Sequence, residues 1–269
     1  MTPARPAGAV RRIILCGDDL GANEAATAAI LQLAASGAIS AASCLVHGPC
    51  AAAAAASLRA MRPPISIGLH LDLTEFAPAP VRASLRRWLA RGFLMRNIDT
   101  AQVHEEIRRQ MDRFEALFGA APQFIDGHCH VHQIPGIREP LLDEMLRRYA
   151  HRVAVRSTRA LRPRGFKGRF IEELGGRSLR ALLEQRGVPS NRDFAGAYDL
   201  RTASGFDARM QGWLDHLADG GLIMCHPELP AADAAPANAR EGEFRFLASN
   251  AWAEARRRSN VQLVPFAAG

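Results

Sequence analysis

Apolar residues along this chain fall into two kinds of run. Short unbroken runs, such as Ile13-Ile14-Leu15-Cys16 and Leu222-Ile223-Met224-Cys225, lack the alternation of a half-exposed strand. They read as strands buried on both faces of a parallel sheet. Between them lie stretches in which apolar positions recur every three or four residues. The clearest is Thr100 to Phe118, where Val103, Ile107, Met111, Phe114 and Leu117 or Phe118 share one face. Thr100 is placed to cap its start and Gly119 to end it.

Taken in order, the pattern predicts strands at 12–16, 39–46, 67–71, 123–128, 152–156, 222–225 and 261–265. Helices are expected at 23–36, 49–61, 81–91, 100–118, 138–149, 179–185, 206–217 and 243–257. Residues 157–177 read as a long basic connection with one short helix, 188–203 as irregular, and 230–238 as a mobile Ala/Pro loop. Strands alternating with helices give an α/β fold with a parallel sheet or barrel, whose carboxyl ends gather ligands and catalytic groups. No repeat or composition break marks a second domain. Residues 1–10 are expected to be a flexible N-terminus, and 11–269 one catalytic domain.

With 269 residues and 48% hydrophobic content, the chain is long enough for a large α/β core. The Ala51–Ala56 run is too short to span a bilayer, and residues 1–8 lack the apolar core of a signal peptide. A cytoplasmic protein without stable membrane insertion is the expectation. Five cysteines, an odd number with no C-x-x-C pair, fit reduced thiols better than a disulfide framework. The net charge of +7 raises nucleic-acid binding. Yet Lys167 is the only lysine among 34 basic residues, and the arginines are scattered among acids with no basic block. No nucleic-acid partner is expected.

Reactive groups cluster where the strands end. Phe124 to Pro135 holds Asp126, His128, His130 and His132 at every second position. An extended chain would point all four to one face, a poor core but a good metal or catalytic site. Cys129, on the opposite face, reads as core, and His104 as solvated surface. Asp18 and Asp19 follow the first strand directly. One acid could cap the next helix, but a pair suits a division of labour between cation ligand and base. His70 and His226 each close an apolar run. One Asp and two His leave coordination positions open for water and substrate, the arrangement of metal-assisted hydrolysis.

Four segments carry a family resemblance: Cys16-Gly-Asp-Asp-Leu-Gly21, Ile67-Gly-Leu-His-Leu-Asp-Leu-Thr74, Ile125-Asp-Gly-His-Cys-His-Val-His132 and Leu222-Ile-Met-Cys-His-Pro227. They resemble, in order, the motifs of the YdjC/ChbG (HpnK-like) carbohydrate deacetylases. The resemblance implies an irregular (β/α) barrel related to polysaccharide deacetylases. It implies removal of an N-acetyl group from an amino sugar, oligosaccharide or glycolipid, with one divalent metal ion, Zn²⁺ or Mg²⁺. Carried over by position, Asp19, His70 and His128 are the metal ligands, Asp18 the general base and His226 the general acid. Asp126, His130 and His132 are left with substrate-orienting or ligand-supporting roles. A homodimer is compatible with the family. Leu20 stands where an aromatic residue is common in it. A metal-dependent phosphoesterase or other amidohydrolase on a similar barrel, and a non-enzymatic polyanion binder, are the competing readings.

Overall fold

The computed structural model describes residues 9–162, 165–200, 205–230 and 238–266. The segments expected to be a flexible N-terminus and a mobile Ala/Pro loop fall largely outside these residues. Among the described residues eight strands form a single sheet, and every pairing in it is parallel. They are β1 (Arg11–Leu20), β2 (Ala41–Cys44), β3 (Ser66–Leu71), β4 (Phe124–Gly127), β5 (Ala154–Val155), β6 (Asp193–Ala195), β7 (Gly221–Cys225) and β8 (Val261–Leu263). Their order is β5-β4-β3-β2-β1-β7-β6, with β8 pairing the start of β1.

The helices are α1 (Glu24–Ala35), α2 (Ala51–Met61), α3 (Leu85–Leu89), α4 (Thr100–Phe118), α5 (Arg138–Tyr149), α6 (Gly165–Ile171), α7 (Arg177–Gln185), α8 (Phe206–His216), α9 (Ala239–Leu247) and α10 (Asn250–Arg258). Helices α8, α9, α1, α2, α4 and α5 each pack on the next, wrapping the outside of the sheet. The curled sheet with this jacket is an irregular β/α barrel. Its interior runs are as apolar as their sequences require: Ile13, Leu15, Leu69, Ile125, Leu222 and Ile223 are 0% exposed.

Among the described residues β5 and β6 share no ladder. The gap is closed by one backbone bond, Val155 N–H to Pro189 O at 2.9 Å, and by the Asn191 amide. Asn191 Oδ1 accepts from Ser157 N–H (2.8 Å), and its Nδ2 donates to the carbonyls of Ser157 (2.8 Å) and Asp193 (2.9 Å). A side chain thus stands in for a strand pair, satisfying edge groups that burial would otherwise leave unpaired.

Four differences from the sequence reading have clear causes. Strand β6 lies within the stretch read as irregular, because three residues flanked by Gly196 are too short to show periodicity. The helix expected over 243–257 is two: Ser249 interrupts it and α10 restarts at Asn250. Helix α3 starts only at Leu85 and continues in a wider turn through Gly92 to Met95. Residues 165–185 are helical with a kink at Leu174 and Gly175, where a φ of 112° suits glycine.

The largest correction concerns the histidine run. Strand β4 ends at Gly127, and residues His128–Gln133 coil into a tight turn. Cys129 and His130 adopt left-handed φ values of 51° and 58°. Two such residues in succession cost about 1–2 kcal/mol each, so the surrounding contacts must enforce the turn. Gly127 permits it: a Cβ there would lie 2.9 Å from both the backbone nitrogen and Nδ1 of His132. The three histidines therefore do not share a face.

Candidate active site

Strand register does most of the positioning. His70 on β3 is paired with Asp126 on β4, and Gly17 on β1 with Cys225 on β7. The first pairing sets Asp126 beside the His70 ring. The second brings His226, one residue beyond β7, alongside Asp18. A slip of one residue in either strand would move these groups to the opposite face.

Asp19, His70 and His128 offer donor atoms that all lie within 4.8 Å of one another. Asp19 Oδ1 is 3.5 Å from His70 Nε2 and 3.0 Å from His128 Nδ1. Asp19 has a φ of 69°, a costly conformation outside glycine that turns its carboxylate across the sheet end. The other nitrogen of His70, Nδ1, is 2.6 Å from Asp126 Oδ1, and Ser43 Oγ donates to the same oxygen. A carboxylate holding the far side of an imidazole fixes the tautomer that leaves Nε2 free as a ligand. His128 Nε2 is 3.2 Å from Glu75 Oε2. The donor set of one carboxylate and two imidazoles fits a divalent ion.

The electrostatics agree. Burial disfavours charge on His70, yet Asp126 and Asp19 hold it up at about 9. Burial is likewise outweighed at His128, mainly by the Asp19 hydrogen bond, and its pKa is raised to about 11. Asp19 itself, though buried, is held well below the usual carboxylate range by the two imidazoles. Positive charge is thus favoured beside Asp19, and a cation bound there would take the place of the imidazole protons, freeing Nε2 of His70 as a ligand.

Arg156, at the end of β5, is the central residue that the sequence reading passed over. Fully buried, it donates from Nη1 to Asp18 Oδ2 (2.5 Å) and from Nη2 to Asp18 Oδ1 (2.6 Å). Its Nη2 also lies 2.5 Å from Asp126 Oδ2. One guanidinium therefore compensates two carboxylates that could not otherwise be buried together. Burial would push Asp18 up, but Arg156 holds it well below its ordinary value. The signal was present: Val153-Ala154-Val155-Arg156 is another apolar run ending in a charged residue.

Cys16, Asp18 and Asp126 form a second group with metal-ligating atoms close together. Arg156 already supplies the cation there. Burial raises the Cys16 thiol well above its ordinary pKa, so it is no thiolate.

His226 Nε2 lies 4.0 Å from Asp18 Oδ2, and burial lowers its pKa. Its backbone N–H donates to Glu243 Oε2 on α9, and Tyr198 Oη donates to Glu243 Oε1 at 2.6 Å. From the same helix Arg240 Nη1 reaches Asp19 Oδ2 (3.0 Å) and Glu228 Oε1 (3.3 Å). Helix α9, capped by Asn238, thus braces both Asp19 and the backbone of His226.

The remaining expectations divide. Asp126 supports His70 and Arg156. His132 is 0% exposed and its Nε2 meets the Arg156 carbonyl at 3.1 Å, so it faces away from any substrate. His130 does line the cavity, with its ring edge-on to Phe194. Cys129 is exposed at the cavity wall instead of lying in the core, because the left-handed turn reverses its direction. His104 is half-exposed, as expected, and pairs with Glu144 at 3.2 Å. No helix among the described residues is long and apolar enough to cross a membrane.

A cavity of about 310 Å³ opens over Asp18, Asp19, His70, His128, His130, His226 and Arg240. The family described as YdjC-like protein matches residues 12–258. A human carbohydrate deacetylase is 29% identical over 252 residues, covering 82% of this chain and 76% of the relative. A Serratia marcescens chitooligosaccharide deacetylase is 34% identical over 132 residues, 46% of this chain and 52% of that protein. A crystal structure from Enterococcus faecalis, provisionally assigned to cellobiose-phosphate cleavage, superposes with a TM-score of 0.69 at 18% identity. It covers 96% of this chain and 98% of its own, and shares the fold.

Proposed function

The chain belongs to the YdjC-like family, and from that premise we propose that it is a metal-dependent hydrolase that removes the N-acetyl group from an amino sugar. The observation that carries this reading is the buried Asp126–His70–Asp19 line with His128 beside it. The deacetylase names of the human and Serratia relatives supply the substrate class.

Asp19, His70 and His128 would hold one divalent ion, Zn²⁺ or Mg²⁺, which when bound acidifies water and polarises a carbonyl oxygen. Asp126 keeps the His70 tautomer and ring angle fixed. Asp18 is the base that accepts the proton of the attacking water. Arg156 keeps it ionised and aimed, at the expense of some basicity. His226, neutral at rest and 4.0 Å from Asp18, is placed to hand that proton to the departing amine. Arg240 and Glu243 hold Asp19 and the His226 backbone while charge shifts between them.

A phosphoesterase of two-metal type would need a second cation site close to the first. The second cluster of ligand-type groups among the described residues, Asp18 with Asp126 and Cys16, has its charge met by Arg156, which favours a single ion and deacetylation.

The test is acetate release from N-acetylglucosamine and its oligomers by the metal-loaded protein, with Asp18→Asn alongside. The expected result is metal-dependent release that falls at least 10²-fold in the variant, in line with loss of a general base. Full activity of Asp18→Asn would remove Asp18 from this role.

A further inference from the structure

A buried polar network next to the reactive floor takes no part in that chemistry. Asp72, Glu106 and Gln110 are all but fully buried, and none of them lines the cavity. Gln110 and Glu106 lie one turn apart on α4 and hold Asp72, the residue after β3. Gln110 Oε1 accepts from the Asp72 N–H (3.0 Å), and its Nε2 donates to the Asp72 carbonyl (2.6 Å) and to Glu106 Oε1 (2.8 Å). His47 Nε2 meets the same Glu106 oxygen at 3.0 Å. Burying this many polar groups is costly, and a fully bonded network of them rigidifies the segment it holds.

The Asp72 side chain turns that anchor into a loop of fixed shape. Its Oδ1 accepts from the N–H of Thr74 (2.7 Å) and Glu75 (3.0 Å) and from Thr74 Oγ1 (2.8 Å). Its Oδ2 accepts from the N–H of Phe76 (2.6 Å) and Ala77 (3.1 Å). One carboxylate thus collects four consecutive backbone N–H groups, an Asx turn carried further along the chain.

Glu75 stands inside this loop. Its side chain is 57% exposed, so packing does not fix it, yet its Oε2 lies 3.2 Å from His128 Nε2. The opposite nitrogen of that ring, Nδ1, faces Asp19 Oδ1 at 3.0 Å. His70 has the converse arrangement: Nε2 faces Asp19, and Nδ1 faces Asp126. Each of these imidazoles is therefore held between Asp19 and one further carboxylate. His128 depends on that hold more than His70 does, because it lies beyond the end of β4 and opens the turn through left-handed Cys129 and His130.

We propose that Glu75 is the positioning residue for His128: it takes the Nε2–H, so that Nδ1 is the nitrogen His128 offers to a cation, and the Asp72 loop holds Glu75 in place. The inference rests on the metal-site reading, and adds to it that the two histidines ligate through different nitrogens.

The experiment titrates the metal-free full chain with Zn²⁺ against a competing chelator, for the unaltered protein, Glu75→Gln and Asp72→Ala. Affinity should fall about tenfold in each variant, as for loss of a carboxylate that orients a ligating histidine. Nitrogen NMR of the Zn²⁺-loaded protein with isotope-labelled histidines gives a readout that a merely structural role would not move. His128 should carry the metal on Nδ1 and the proton on Nε2, and His70 the reverse; His128→Gln and His70→Gln assign the signals. Unchanged affinity in Glu75→Gln, or Zn²⁺ on His128 Nε2, overturns the proposal. If Asp72→Ala fails to fold, Glu75→Gln, a change at an exposed side chain, decides alone. Absence of Zn²⁺ uptake by the unaltered protein overturns the metal-site reading instead. The metal-free spectrum then decides the Glu75 question, with a His128 Nε2 signal unmoved by Glu75→Gln as the refuting result.

Discussion

Arg156 grips Asp18 with both terminal nitrogens of its guanidinium, at 2.5 and 2.6 Å, from a strand that lies four places away in the sheet. Both residues are buried, and Asp126 leans on the same guanidinium. Removing the cation leaves two carboxylates uncompensated in the interior. Arg156→Met should therefore lose about 3–5 kcal/mol of stability and nearly all activity. Arg156→Lys keeps the charge but not the fork, and should fall between the two. Chemical denaturation checks the ordering; a lysine variant as stable as the parent would show that the two-pronged geometry is unimportant.

Asp126→Asn removes the charge behind His70 while keeping the shape. His70 Nδ1 would lose its carboxylate partner, now at 2.6 Å, and with it the preference for the metal-ready tautomer. Losses of about 10–100-fold in metal affinity accompany such changes. Titration with Zn²⁺ and a competing chelator measures this, and an unchanged affinity would separate Asp126 from the metal site.

Metal content is a separate check. Elemental analysis should return one divalent ion per chain, lost in Asp19→Ala and in His70→Ala. Chelation of the native protein should abolish acetate release, and added metal should restore it. Two ions per chain would favour the phosphoesterase reading.

Glu243 makes stability depend on pH. Burial pushes its carboxyl from 4.5 up to about 7, although the Tyr198 hydroxyl and the His226 amide both donate to it. A carboxyl that holds its proton more tightly folded than unfolded stabilises the fold at low pH. That contribution is lost as pH rises from about 4.5 through about 7. Its full span is on the order of 3 kcal/mol. Melting temperatures of the parent should decline across this window relative to Glu243→Gln, and parallel curves for the two proteins would refute the assignment.

Much of this architecture could be read from the chain. Unbroken apolar runs located seven of the strands, because a strand covered on both faces has no polar alternation to confuse it. The span of helix α4 was read to the residue, since its period and terminal glycine agree, but its cap is Asp99, whose side chain accepts from Gln102 N–H, and not Thr100, which is the first helical residue. The floor residues were legible for a related reason: a charged group closing a buried run has few other uses. Three things escaped. Strand β6 is too short to have a period. The turn at Cys129 and His130 depends on left-handed backbone that only tertiary contacts enforce, so Asp126-x-His128-x-His130-x-His132 read as one face when it is none. Arg156 was hidden by abundance, one arginine in a chain crowded with them, and only the register of β5 sets it beneath Asp18 and Asp126.

The Asn191 bridge between β5 and β6 gives that arginine a further significance. The barrel closes like a clasp at that point, not like a hoop, and Arg156 sits on the lip of the clasp, one residue before Ser157. Until the lip is fastened, the counter-charge for Asp18 and Asp126 has no fixed address. Completion of the reactive floor and final closure of the wall are thus a single event, and a partly assembled barrel is an inert one.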